Sequence, residues 1–395
     1  MRTILQIFWE FLKLGCSSFG GPIAHLMYFR QTFVEKLKWL NDKEYQSIVT
    51  LSQSLPGPAS SQVGFTIGLL RGGIAGAFVA FIAFTLPSVI LLIVFANYLY
   101  VFDSPIGKAA LQGLAILAFV VVSQGLLGMA KGSCNTKPTF LLALASFVIL
   151  LSANSLAGQF FVILLGAMCG AALLANDKEN GLSNAIQEQA LKPRRANIIS
   201  FSYLCVFTGL FFALPYISET VNIFYRSGAL VFGGGHVVLP LLESATVAND
   251  LLSQEKFLAG YGATQAMPGP MFSFAAYLGF IADSNTHILG SPLISAFVAA
   301  IAIFIPGFLL ILIILPHLQR FYHYKRLQGA LAGANASVVG LLAAALYDPI
   351  FLHAINSGAE LGISAVGLAL LMRFKLPVFY VIVWCVVATV ILKIM

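Results

Sequence analysis

Two basic residues, Lys13 and Arg226, lie inside apolar stretches, and each stands six residues before a glycine cluster. Lys13 precedes the cluster at 19–22 (FGGP), and Arg226 precedes the cluster at 232–235 (FGGG). An ionisable side chain in such a stretch is by default a functional candidate. The alternative is that both long side chains only reach the membrane interface. The matched spacing favours a functional pair, in which Arg226 grips oxygen atoms bidentately and Lys13 acts as a point charge.

The glycine clusters belong to a set of four breaks in apolar segments, at 19–22, 56–58 (PGP), 232–235 and 268–270 (PGP). Proline lacks a backbone donor and glycine loosens a helix. A helix that restarts after a break presents unbonded N–H groups and the positive end of its dipole, an arrangement that binds tetrahedral oxyanions. The glycines that allow close approach are Gly20, Gly21, Gly57, Gly233, Gly234 and Gly269.

Polar side chains accompany these breaks, and each type has a structural alternative. Serine hydroxyls add donors, but in membrane helices they often bond backbone carbonyls. Each glutamine stands three residues before a PGP and either donates to an anion or holds the opened backbone. Each histidine follows a glycine break and either carries a coupling proton, contacts an anion or stays neutral on a freed carbonyl. These residues are Ser17, Ser18, Ser60, Ser61, Gln53, Gln265, His25 and His236.

The composition places these residues in a membrane protein. Of 395 residues, 9% are charged and 59% are hydrophobic. So few charges cannot cover a water-soluble surface, which excludes a cytosolic enzyme, a disordered chain and a nucleic-acid binder despite the net charge of +7. Thirteen apolar stretches, most near the length of about 20 residues that spans a bilayer, predict an all-α polytopic protein of the cell membrane.

Two further features are expected absences. The five cysteines show no paired motif, so we expect neither a disulfide framework nor a metal site. The apolar N-terminus resembles a signal peptide, but Glu10 and Lys13 interrupt it and no small-x-small cleavage site follows. We therefore expect it to remain in the mature protein.

The breaks recur in the same order, which predicts two structural repeats. QSLPGP (53–58) matches QAMPGP (265–270), and AFTLPS (83–88) resembles AIFIPG (302–307). We expect one repeat at 1–175, a cytoplasmic linker with a connecting transmembrane helix at 176–216, and a second repeat at 217–395. Duplicated halves with broken helices at matching places indicate a transporter whose site lies near the repeat interface.

Charge predicts that the two repeats are inverted. The segment 30–43 carries Lys and Arg, whereas its counterpart 243–256 is mainly acidic. The sign also reverses between 100–107 and 317–326. The positive-inside rule then predicts discontinuous or re-entrant broken segments, nine net crossings, a cytoplasmic N-terminus and linker, and an external C-terminus.

Four motifs together resemble the chromate ion transporter (CHR) family in its long, two-domain form. They are FLKLGCSSFGGPIAH (11–25), LSQSLPGPASSQ (51–62), GALVFGGGHVVLPLL (228–242) and ATQAMPGPMFSFAAYLG (263–279). The resemblance implies export of chromate from the cytoplasm and hence chromate resistance, with sulfate as a close structural analogue. Chromate is a tetrahedral dianion, so bringing it into a low-dielectric site requires positive charge and hydrogen-bond donors.

Two other classes compete with a chromate exporter. The first is a transporter or channel for sulfate or another small anion that uses the same site. The second is a membrane enzyme such as a chromate reductase, but the sequence shows no GxGxxG, paired cysteine or paired histidine signature for a redox cofactor. We therefore expect no enzyme activity and no cofactor. The expected partners are chromate, sulfate as a second substrate, and lipid. The oligomeric state is open, with a homodimer as one option.

Overall fold

The computed structural model describes residues 2–152, 155–174, 193–232, 235–247, 251–282, 288–318 and 324–394. Every regular element in these residues is helical. Five stretches are long and apolar enough to cross a membrane, namely Ala59–Asn97, Pro105–Ser133, Asn197–Ile217, Pro292–His317 and Lys325–Ala354. The predicted all-α, multi-pass membrane protein is confirmed.

Sixteen helices of eight residues or more lie in the described residues. The first seven are α1 (Arg2–Ser17), α2 (Gly21–Phe29), α3 (Asp42–Ser54), α4 (Ala59–Asn97), α5 (Pro105–Ser133), α6 (Lys137–Ser152) and α7 (Leu156–Leu173). Next come α8 (Pro193–Ile217), α9 (Glu219–Leu230), α10 (Val238–Thr246), α11 (Gln254–Ala266) and α12 (Phe274–Ile281). The last four are α13 (Pro292–Ile314), α14 (Lys325–Ala345), α15 (Gly358–Met372) and α16 (Val378–Ile394).

The helices are interrupted at the predicted breaks. Between α1 and α2 the chain turns through Gly20 and Gly21, whose φ angles are +99° and +77°. Positive φ is open to glycine at little cost. Both PGP sequences separate two helices, α3 from α4 and α11 from α12. At the break at 232–235, Gly233 and Gly234 lie outside the described residues, and the chain beyond them starts with a 3₁₀ turn at Gly235–Val237.

Helix α4 is a hairpin of two legs rather than one span. Its backbone is non-helical at Gly72 and Gly73, where Gly73 has a φ of +63°. A Cβ atom on Gly68 would stand 2.5 Å from the carbonyl oxygen of Gly76. Residues eight apart lie about 12 Å apart along a straight helix, so the chain must reverse. This division agrees with the sequence, in which 44–70 and 73–99 are two of the thirteen separate apolar stretches. The legs are residues 59–71 and 74–97.

The first break lies at the tip of a re-entrant hairpin. Helix α1 leads to it, and helix α2 leads back toward the side from which α1 came. Helix α1 runs parallel to the second leg of α4, with Ile7 against Gly72 and Gly15 against the Phe84 carbonyl. Helix α2 then returns, and Phe29 and the following Phe33 pack against Phe11. A salt bridge from Arg30 to Asp42 ties the end of α2 to the start of α3, and Arg30 also pairs with the nearby Glu35.

The matched helices of the two halves run in opposite directions. Phe81, early in the second leg of α4, packs against Phe304 and Phe308, late in α13. Val89, further along that leg, belongs to one packed cluster with Ala296 and Ala300 near the start of α13. The leg and α13 carry the matched segments 83–88 and 302–307 and are therefore antiparallel.

The last helices of each half pack on the other half. Helix α7 lies on α14, where the backbones of Gly170 and Gly329 touch. Helix α16 lies on α5, where a Cβ atom on Gly113 would stand 2.7 Å from the Cα atom of Val386. Small residues permit such close packing of membrane helices. Helix α8, which contains the predicted connecting segment, packs on α9 and α13.

Candidate functional site

The two halves meet through hydrogen bonds between their breaks. The N–H group of Gly269, in the second PGP, donates to the carbonyl oxygen of Ser18 at 3.0 Å. The N–H group of Gly57, in the first PGP, donates to the carbonyl oxygen of Val231 at 2.7 Å. Each PGP therefore bonds the carbonyl that precedes the glycine break of the other half.

The two glycine breaks also touch one another. A Cβ atom on Gly235 would stand 3.2 Å from Cγ of Pro22 and 3.2 Å from the sulfur of Met271. All four breaks thus contribute to one region, which we call the break crossing and define as residues 18–22, 56–58, 231, 232, 235 and 268–270. Gly233 and Gly234 lie outside the described residues.

Gly57 and Gly269 suit these positions for two reasons. Their φ angles are +119° and +97°, which side chains rarely adopt. There is also no room for a Cβ atom, because one on Gly57 would stand 2.8 Å from Gln62 Nε2 and one on Gly269 would stand 2.8 Å from Ser88 Oγ. The backbone can therefore approach a neighbour or a ligand closely at both turns.

The start of α4 presents hydrogen-bond donors at the break crossing. Its first helical hydrogen bond runs from the Gln62 N–H to the Pro58 carbonyl, and no side chain caps this end. The N–H groups of residues 59–61 come before that bond in the chain and therefore have no acceptor within the helix. The buried hydroxyl of Ser61 has no hydrogen-bond partner among the described residues. A helix end of this kind favours an anion through its dipole and its N–H groups.

His25 lies in the break crossing and holds its backbone. The ring is buried, with Nε2 3.2 Å from the Ser18 carbonyl oxygen and Nδ1 3.5 Å from Ser60 Oγ. The Ser18 carbonyl therefore faces both the Gly269 N–H group and the imidazole of His25. Of the alternatives that the sequence leaves open, this geometry favours a histidine bonded to a freed carbonyl.

His236 has different partners from its counterpart. Its Nδ1 lies 2.9 Å from the Tyr261 hydroxyl. A Cβ atom on Gly125 would stand 2.6 Å from Cδ2 of the ring, so α5 packs directly against this histidine. The two matched histidines thus contact unlike groups, a carbonyl in one half and a tyrosine in the other.

The two predicted cations also have different partners. The Lys13 ammonium is 2.9 Å from the Glu10 carboxylate, and the Lys13 side chain is 67% exposed. The Arg226 guanidinium lies over the Phe211 ring, 5.0 Å from its centroid, and Nη2 is 3.5 Å from the Phe211 carbonyl oxygen. Pro215, four residues later, cannot bond that carbonyl because it has no N–H group. The placement of one anion between Lys13 and Arg226 stays a prediction.

The other predicted residues divide between the surface and the interior. Gln53 and Ser17 are exposed, and the Ser17 hydroxyl donates to the Lys13 carbonyl at 2.8 Å. Ser18 is fully buried and its hydroxyl has no partner among the described residues. Gln265 is half-buried, and its Nε2 atom likewise lacks a partner there.

Gln62 also lies at this site, although it is not among the residues predicted from the sequence. Its Nε2 group donates to the Pro56 carbonyl at 2.9 Å and to the Gly307 carbonyl at 3.1 Å. The side chain therefore joins the first PGP to the other half, while its buried Oε1 has no partner in the described part of the chain. The signal in the sequence is its position as the single amide in the first leg of α4.

Comparison with known proteins gives one family. The family model described as "Chromate transporter" matches residues 5–171 and 218–390. An uncharacterised transporter of Methanocaldococcus jannaschii is 28% identical over 350 residues, which are 87% of this chain and 83% of that protein. A probable chromate transport protein of Synechococcus elongatus is 27% identical, over 87% of this chain and 84% of that protein. A chromate transport protein of Pseudomonas aeruginosa is 25% identical, over 94% of this chain and 87% of that protein. No solved structure matches the chain.

Proposed function

The chain belongs to the chromate transporter family, and from this premise we propose that it is a secondary transporter that exports chromate from the cytoplasm. The break crossing is the observation that carries the proposal. It joins four interrupted helices from both halves at one place through the Gly57 and Gly269 hydrogen bonds. Secondary transporters place their substrate sites at such broken helices.

In this proposal the anion binds at the crossing chiefly through neutral donors. The N–H groups at the start of α4 and the Ser61 hydroxyl supply hydrogen bonds, and the helix dipole supplies partial positive charge. Gly20, Gly21, Gly57 and Gly269, together with Gly233 and Gly234 outside the described residues, let the anion approach the backbone. Lys13 and Arg226 add the full charges that compensate a dianion.

The two halves act as inverted repeats, 1–175 and 217–395. The antiparallel course of α13 and the second leg of α4 supports this arrangement, as does the double match of the family model. The basic segment 30–43 then faces the cytoplasm. Reporter fusions after residues 185 and 393 test the topology, and we expect the first inside and the second outside. Reporters on the same side would contradict it.

The membrane potential drives the export. An inside-negative potential of 100 mV favours outward movement of a dianion by about 4.6 kcal/mol. The cycle therefore requires no nucleotide. Sulfate is the second candidate substrate, because backbone N–H groups and hydroxyls recognise the charge and tetrahedral shape that chromate and sulfate share.

Uptake by inside-out membrane vesicles tests the function. We expect vesicles containing the protein to accumulate radiolabelled chromate faster than vesicles without it, and to do so faster still when the lumen is made positive. Labelled sulfate is measured in parallel. Uptake of sulfate alone would favour the alternative substrate, and chromate uptake equal to that of the empty vesicles would refute the proposal.

A further inference from the structure

Helix α1 exposes a polar flank that leads to the first break. The residues Gln6, Glu10, Lys13 and Ser17 follow one another at intervals of three or four, so they lie on one side of the helix. Gln6, Lys13 and Ser17 are exposed and Glu10 is partly exposed. The opposite side, which includes Gly15, packs against α4. Four polar residues in succession, ending at the glycine break, indicate that this flank borders water rather than lipid.

Lys13 lies deep along this flank. Gly15, two residues after it, touches Phe84, which is near the middle of the second leg of α4. That leg, residues 74–97, begins beside Arg71 and exceeds the length of about 20 residues that spans a bilayer. Lys13 therefore sits about 3 Å, at 1.5 Å per residue, from the level of Phe84. Ionisable residues at this depth usually face a water-filled cavity or the bundle interior and mark a substrate pathway.

The second half has no counterpart of the Lys13–Glu10 pair. Arg226 matches Lys13, but the residue that matches Glu10 is Ile223, which is buried. Arg226 instead rests on Phe211 of α8. The half that carries the acid is thus the half whose cation is exposed, and the carboxylate of that acid lies 2.9 Å from the cation.

We propose that Glu10 is a surrogate for the transported anion: it neutralises Lys13 when the carrier is empty, and the incoming oxyanion displaces it. This inference rests on the proposed function. Lys13 then has a negative partner in every stage of the cycle, and the displaced Glu10 carboxylate is solvated by the water that borders the flank. The carboxylate competes with the substrate during loading and compensates the Lys13 charge while the empty carrier returns.

The proposal separates two transport modes. Exchange of one anion for another never requires the empty carrier to return, whereas net efflux does. Glu10→Gln removes the competing charge, so exchange should continue with a half-saturation concentration about two- to fivefold lower, the scale of an exposed ion pair. Net efflux should fall at least about tenfold, because the empty carrier would have to return with an uncompensated charge.

The experiment uses the full chain in proteoliposomes loaded with unlabelled chromate. Exchange is the uptake of external labelled chromate, and net efflux is the loss of chromate into anion-free buffer. Glu10→Asp keeps the carboxylate and should restore most of the net efflux. Glu35→Gln is the matched control, because it breaks the ion pair with Arg30 outside the polar flank and should change neither mode.

The outcomes distinguish this inference from the proposed function. If the wild-type protein neither exchanges nor releases chromate, the proposed function fails. If the wild-type protein does both and Glu10→Gln reduces both modes equally or changes neither, only the surrogate role is overturned. A loss of net efflux with exchange retained, and its recovery in Glu10→Asp, would support the proposal.

Discussion

The backbone of Gly57 lies directly against the backbone of Gly307, so closely that a Cβ atom on Gly57 would stand 3.0 Å from the Gly307 Cα atom. Gly307 follows Pro306 in α13, a helix of the other half. Gly269 lies against the side chain of Ser88, which follows Pro87 in α4, and a Cβ atom on Gly269 would stand 2.8 Å from Ser88 Oγ. Each PGP turn therefore packs against the proline-containing helix of the opposite half. A movement of either half relative to the other must change the contacts at both turns.

Gly57→Ala should disrupt the break crossing. The new methyl group meets Gln62 and Gly307, and the φ of +119° is strained for alanine. We expect a loss of stability of about 1–3 kcal/mol together with loss of chromate efflux. Thermal unfolding of the purified protein and vesicle transport are the measurements. Gly128→Ala is the control, because nothing lies within 4 Å of its added Cβ atom, and it should leave both unchanged. A fully active Gly57→Ala protein would contradict the crossing as the site.

Gln62→Met tests the amide that joins the two halves. The substitution keeps the length of the side chain but removes the donors to the Pro56 and Gly307 carbonyls. Each hydrogen bond lost costs about 0.5–1.5 kcal/mol, so we expect a less stable protein with transport reduced at least tenfold. Gln46→Met, at an exposed position of α3, should behave as wild type. Equal transport by the two variants would show that the Gln62 bridge is dispensable.

Sequence patterns predicted the position of the breaks because glycine and proline act locally. A Pro-Gly-Pro sequence stops a helix wherever it occurs, and α3 and α4 are separated at 56–58 as expected. The matched order of the breaks also indicated that they lie near one another. Gln53, by contrast, is exposed and Gln62 is central. That difference depends on where α13 packs against this segment. The sequence of residues 53–62 alone carries no information about the position of α13.

The partners of the two cations also could not be predicted from local sequence patterns. Lys13 and Arg226 have the same spacing to their breaks, yet only Arg226 is covered by another helix. Helix α8 connects the two repeats in the chain and packs on α9 and α13, which both belong to the second repeat. Within α8, Pro215 leaves a carbonyl that an arginine can bond. The duplication predicts equivalent positions for Lys13 and Arg226. Their surroundings differ because α8, which has no counterpart in the other half, contacts Arg226.

Charge removal at either cation should abolish transport. Lys13→Gln and Arg226→Gln keep the approximate length of the side chain and remove its charge, and we expect transport to be lost while the protein level in the membrane is retained. Arg226→Lys should be partly active, because lysine keeps the charge but loses the planar guanidinium that lies on Phe211. Transport by vesicles and quantification of the membrane protein provide the measurement. Normal chromate transport by both Gln variants would limit the site to backbone and neutral donors.

The two halves should be stable only together. Helix α7 of the first half packs on α14, and α16 of the second half packs on α5. A chain divided between residues 174 and 193 therefore leaves each product with an exposed helical face that the other product would cover. We expect little of either product in the membrane when it is expressed alone, and recovery of both, with chromate efflux, when they are expressed together.

Close glycine contacts provide a sharper test of this mutual packing. Gly170→Val should prevent the two separately expressed products from associating, because the backbone of Gly329 occupies the position of its side chain. Gly209→Val on α8 is the control, since nothing lies within 4 Å of its added Cβ atom. Co-purification of one tagged product with the other measures the association. Stable accumulation of either product alone would show that the halves fold independently. Normal association of the Gly170→Val product would show that the packing of α7 on α14 does not hold the halves together.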